Sequence, residues 1–137
     1  MQRAETKARV RALQLLYAWD LTGRPSLRTV IARVAGMCER APGHTDRAAE
    51  LAEKGIAGLA GFDHLVSAAA EHWRLERVGI IERNILRLAL AEIAEGATPS
   101  RVVIDEAVKL AQWFAGAKAP GFVNGVLDTA ARQLGAL

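Results

Sequence analysis

The sequence predicts an all-α protein of about seven helices, and three features carry that prediction. Apolar residues recur at helical spacing nearly everywhere. Glycine, proline and capping residues divide the chain into segments of helical length. The best strand-like signal, Asn124-Gly125 between apolar pairs, finds no partner strand, and Val123, Leu127, Ala130 and Leu134 continue past it at helical steps.

The first helix spans about 3–21 and is closed by Gly23 and Pro25. A second runs from about Ser26 to Cys38, before the clearest break, Ala41-Pro42-Gly43. Thr45 caps a third over about 46–60, where Glu50 and Lys54 stand four apart in the favourable order. Gly55, Gly58 and Gly61 weaken that helix and point to close packing against a neighbour. Asp63 caps a fourth that ends near Trp73, and a charged connector, Arg74–Arg77, follows. The fifth, Ile80 to Ala94, is apolar almost all round and is expected at the centre of the core. Thr98-Pro99 starts a sixth that reaches Phe114. A loop over Gly116–Gly121 leads to the last, about 121–134.

A chain of 137 residues fits one domain, 1–137, that buries roughly two thirds of its unfolded surface. Half the residues are hydrophobic, with 27 Ala and 16 Leu by count, which excludes a disordered tail, and no apolar run reaches membrane-spanning length. A single cysteine, Cys38, excludes an internal disulfide framework or a multi-cysteine zinc site and fits a reducing cytoplasm. Glu5 and Asp20 interrupt the Arg-rich start, and no A-x-A site follows Ala12–Trp19, so a targeting peptide is not expected.

The net charge of +3 is localised. Arg3, Lys7, Arg9 and Arg11 against Glu5 account for all of it, and the remaining residues balance. On a helical wheel Arg3, Lys7, Arg11 and Gln14 fall within about 80° of one another. Such a stripe can neutralise phosphates while Gln14 bonds a base edge or sugar hydroxyl. An ordinary solvated helix end is the alternative. Arg9 lies elsewhere, between Leu13 and Leu16, where it can snorkel or meet a core carboxylate. Four phosphate contacts to a single strand predict a salt slope of about −2.8. That affinity fades near physiological salt, so a second surface or a protein partner is needed. Membrane binding is disfavoured, because the apolar face of this helix is needed for the core.

Enzyme constellations are not found. His44, His64 and His72 lack metal-ligand spacing, and Cys38 lacks a motif and reads as a structural thiol. Gly58–Gly61 is not followed by Lys-Ser or Lys-Thr, so it is not a phosphate loop. Asp105 and Glu106 are adjacent and read as surface charge, with Lys109 a helical neighbour of Asp105. Glu82, Arg83, Arg87 and Glu92 are the polar remainder of the fifth helix, read either as internal ion pairs or as part of a protein interface. Neither 46–60 nor 99–114 is basic enough for a DNA-recognition helix.

Four ordered segments resemble the NusB family: Arg9–Trp19 (RVRALQLLYAW), Glu82–Ile93 (ERNILRLALAEI), Val103–Leu110 (VIDEAVKL) and Phe122–Asp128 (FVNGVLD). The similarity covers most of the chain; only about 24–60 is nondescript. The resemblance implies two packed helical subdomains and a cytoplasmic, non-enzymatic antitermination factor. It further implies binding of boxA leader RNA of ribosomal RNA operons, a ribosomal-protein partner known as NusE, and entry into the transcription elongation complex. No metal or cofactor is expected. RNA contacts would come from Arg3, Lys7, Arg9 and Arg11, where many relatives carry a denser arginine cluster, together with Gln14. Lys118 adds a possible second basic contact against a reading as plain loop charge, and Tyr17 a stacking residue against a half-buried aromatic. Glu82, Arg83 and Arg87 are the candidates for partner binding. Asn124 and Gly125 are assigned to helix packing. An alternative is the NusB-like RNA-binding domain of a ribosomal RNA cytosine methyltransferase. The chain ends at Leu137 without a glycine-rich cofactor segment, so the free-standing factor is the expected form.

Overall fold

The computed structural model describes residues 2–37, 45–70 and 78–137, with side chains described over 5–34, 46–70 and 78–137. Cys38, His44, His72, Trp73 and the Arg74–Arg77 connector lie outside the described residues. Among those described, seven helices and no strands are found: α1 (Gln2–Leu21), α2 (Leu27–Met37), α3 (Thr45–Ala57), α4 (Leu59–Ala69), α5 (Ile80–Glu95), α6 (Ser100–Phe114) and α7 (Ala119–Gln133). No helix among them is long and apolar enough to cross a membrane.

The burial of α5 on all sides decides the architecture. Every residue from Asn84 to Ile93 is buried, and α5 packs against α1, α3, α4, α6 and α7. A helix without a solvent face must be surrounded, and this one is. α1, with α2 and α3 against it, covers one side of α5; α4, α6 and α7 close the other. Leu16, Leu51, Ile85, Leu86, Leu90, Ile104 and Leu127 meet in one continuous core. Phe122–Leu127 lies within α7, so the hairpin signal is overridden by a helix that buries Val123, Val126 and Leu127.

Several boundaries differ from the sequence reading. The third predicted helix breaks at Gly58, and α4 starts at Leu59, so Asp63 lies inside α4 and does not cap it. The Phe62 ring lies over Gly58 where a Cβ would stand, and Gly55 is buried beside Leu16, so both glycines mark close packing. Gly61 is exposed with open space about it, and does not. Pro99 stands just before α6 as its cap residue, and α7 starts at Ala119, which shortens the preceding loop. Asn124 and Gly125 are exposed on α7, and a Cβ at Gly125 would meet nothing within 4 Å. Their assignment to helix packing is therefore corrected: α7 turns its apolar side inward and leaves these two in solvent.

Candidate nucleic-acid interface

The amphipathic pattern of α1 fixes what each basic residue can do. Ala8, Ala12, Leu15, Leu16 and Trp19 are buried, whereas Lys7 and Gln14 are exposed and Arg11 is half-buried. Arg3 belongs to α1, with its side chain outside the described set. Glu5, the acidic residue in this segment, lies 3.7 Å from Arg47 of α3, so its charge is partly answered there and offsets the stripe less.

Beside the stripe, Val10, Leu13, Gln14 and Tyr17 of α1 face Ile81 of α5 and Phe114 of α6 across an open, mostly apolar groove of about 220 Å³. Tyr17 is half-buried in its wall, a position compatible with either sequence reading of it. Trp113, next to Phe114, is 55% exposed, and the two rings meet edge-on at 6.4 Å. Lys118 is exposed in the short turn between α6 and α7.

Arg9 is not part of this face. It is only 6% exposed, and its Nε and Nη2 donate to the two carboxylate oxygens of Glu92, each at 2.7 Å. Nη1 donates to Glu106 at 3.3 Å, and Thr6 Oγ1 donates to the same Glu106 oxygen at 2.8 Å. Burial works against the Arg9 charge, but the Glu92 fork and Glu106 more than reverse this and hold its pKa above the ordinary arginine value. The expected RNA contact is thus corrected: Arg9 is the core ion-pair residue that its wheel position allowed. Glu106 is likewise buried, and Lys109 approaches it at 3.6 Å, so the pair Asp105–Glu106 is half surface and half core.

The three candidates for partner binding are largely used inside the fold. Arg87 is 2% exposed; its Nε and Nη2 fork onto Asp63 at 2.8 Å each, and Nη1 donates to Asp20 and to the Asn84 side chain, both at 2.9 Å. This ties α5 to α4 and to the end of α1, and it explains why Asp63 stands within α4. Arg87 is therefore removed from the partner-binding set. Glu82 folds back to accept the Gly79 N–H at 3.1 Å, capping its own helix. Arg83 donates to Asp20 at 3.0 Å but keeps part of its surface. Every buried side-chain polar atom among the described residues has a partner.

A model of the NusB family matches residues 6–132, nearly the whole length of this helical unit. The chain belongs to the NusB family. It is 39% identical over 129 residues to the transcription antitermination protein NusB of Solibacter usitatus (strain Ellin6076), a match covering 93% of this chain and 88% of that protein. It is similar to the structure of T. maritima NusB, with 26% identity, a TM-score of 0.82 and coverage of 93% and 90% of the two chains. It is also similar to a chain in a crystal structure of antitermination factors NusB and NusE in complex with dsRNA, with 28% identity, a TM-score of 0.84 and coverage of 97% and 99%.

In this NusB-family chain the surface that sequence reasoning missed is the wall opposite α1. Ile81 and Phe114 come from helices far away in sequence, so the α1 wheel cannot reveal them. A signal was present all the same. Two consecutive aromatics project about 100° apart on a helix, so Trp113 and Phe114 cannot both point into one core.

The ion pairs also predict an acid response. Burial raises the Asp20 pKa, but hydrogen bonds from Arg83, Asn84 and Arg24 outweigh it and bring the value to about 2. Glu95 is likewise held at about 2, chiefly by the hydrogen bond from Arg47, with burial opposing and Lys54 assisting. Both titrate lower in the fold than in the unfolded chain. Their stabilisation is therefore complete above about pH 5 and is lost as pH falls through about 2. Discounted for solvent screening, the two together contribute about 2 kcal/mol. The urea midpoint should fall over that window and stay level from pH 5 to 7; a level midpoint down to pH 2 would contradict the assignment.

Proposed function

We propose that this chain is a non-enzymatic, cytoplasmic transcription antitermination factor. It binds single-stranded boxA leader RNA of ribosomal RNA operons jointly with NusE, and the pair joins the elongating polymerase. The observation that carries this reading is the cationic stripe of α1 lying directly beside an apolar groove walled by Tyr17 and Phe114. Single-stranded RNA offers both complements, phosphates for Arg3, Lys7 and Arg11 and unstacked bases for the groove. Gln14 stands where the two meet and can bond a base edge, and Lys118 supplies a further phosphate contact. Arg83 retains the exposure to meet the protein partner. The similarity to a chain of the NusB–NusE complex with dsRNA supports NusE and RNA as partner classes.

With Arg9 inside the core, the three remaining α1 cations account for a salt slope of about −2.1, which Lys118 brings to about −2.8. So weak an electrostatic term needs the partner to complete the site. Fluorescence anisotropy of boxA RNA and of a scrambled RNA of equal length, with and without NusE, tests this. The expected result is a clear preference for boxA in the presence of NusE; equal affinities in the complex contradict specific recognition.

A further inference from the structure

We propose that the RNA surface extends from α1 onto α6, where Trp113 stacks on a nucleobase and Lys109 meets the adjoining phosphate. The inference rests on the proposed RNA binding and adds residues to it. Three observations carry it.

The first is the alignment of the two helices. Thr6 and Arg9 bond Glu106, while Val10, Gln14 and Tyr17 face Phe114 across the groove. α6 therefore meets α1 at Glu106 and stands across the groove from it at Phe114, so the two helices advance in the same direction. Glu106, Lys109 and Trp113 follow at steps of three and four, so they form one ridge of α6 beside α1. The second is the exposure of Trp113. A 55% exposed indole leaves a large apolar face in water, and its ring stands edge-on to that of Phe114, a groove-lining residue. The third is charge. Glu106 is already matched by Arg9 and Thr6, and Lys109 meets its other oxygen only at 3.6 Å while about half of the lysine side chain stays exposed. Lys109 thus sets a cation four residues from the exposed indole on the same ridge, with Asp105 one turn before it, while Lys7 and Arg11 carry the charge of α1 farther round that helix. Basic side chains interleaved with an exposed aromatic suit a single nucleic-acid strand, whose bases stack and whose phosphates track the cations.

The test uses the full chain and a short single-stranded RNA carrying boxA, with NusE present. Trp113→Ala should weaken RNA binding about ten-fold, and Trp113→Phe should stay within about three-fold. Lys109→Gln should lower the salt slope by about 0.7. Removing the base from one nucleotide at a time should reveal one position whose loss weakens the natural protein but not Trp113→Ala. RNA should also quench a tryptophan emission component that Trp113→Phe lacks, the variant separating Trp113 from Trp19 and Trp73. Thermal melting of each variant should match that of the natural protein, because both side chains are exposed. If the natural protein binds the RNA while Trp113→Ala binds equally well, this extension is overturned and the α1 reading stands. If Trp113→Ala loses NusE instead of RNA, the ridge is a protein contact and the extension is again overturned. If the natural protein binds no RNA, the proposed function fails and takes the extension with it.

Discussion

Arg9→Ala should destabilise the protein by about 3–5 kcal/mol, although the family resemblance counts Arg9 among the RNA-contacting cations. The substitution removes the fork onto Glu92 and the bond to Glu106, and it leaves two buried carboxylates facing each other without their guanidinium. For a domain of this size that is a large part of the whole stability. Urea denaturation measures it directly. The triple variant Arg9→Met, Glu92→Leu, Glu106→Leu should recover most of the loss, because apolar side chains of similar volume can replace a buried ion cluster at little cost. Lys7→Ala, one helical face away, should change stability by less than about 0.5 kcal/mol. A stability loss from Arg9→Ala no greater than that from Lys7→Ala would mean that the buried cluster is not formed.

Reversing the charge of the stripe should do the opposite. Arg3→Glu, Lys7→Glu and Arg11→Glu together should leave the helix content in place while RNA affinity falls at least about a hundred-fold at low salt. Three lost phosphate contacts alone take about 2 off the magnitude of the salt slope, and three new negative charges add repulsion. Binding isotherms at several salt concentrations give both affinity and slope. Unchanged affinity would remove α1 from the RNA site. The two variants thus separate the roles of cations that lie within a few residues of one another, one supporting the fold and the others the surface.

How far the sequence revealed this arrangement depends on whether a feature is local. The place of α5 in the core was legible because Ile81, Ile85, Leu86, Leu88, Leu90 and Ile93 leave that helix little polar surface. The departure of Arg9 from the stripe was legible from its angle, since position 9 falls between Leu13 and Leu16. Its partners were not, because Glu92 and Glu106 come from two other helices. Asp63 was read as a cap because Asp is a common cap residue, but the pull of Arg87 on the carboxylate is tertiary. Glu106 was read with its neighbour Asp105, although adjacent residues on a helix point about 100° apart and only one of them reaches the Arg9 cluster. Asn124 and Gly125 carried a packing assignment because small residues permit close approach; the orientation of α7 decides which side approaches, and they lie on the other. The groove could not be read from α1 at all, since its far wall is built by Ile81 and Phe114.

The central claim is that RNA lies along the α1 stripe and groove when NusE is bound. Following backbone amide chemical shifts of this chain in the NusE complex during titration with boxA RNA tests it most directly. Shifts should concentrate at Lys7, Arg11, Gln14 and Tyr17 and at the Phe114 end of α6, and a scrambled RNA should produce weaker ones. Shifts confined to α2 or the exposed face of α7, or an identical response to the scrambled RNA, would contradict the account.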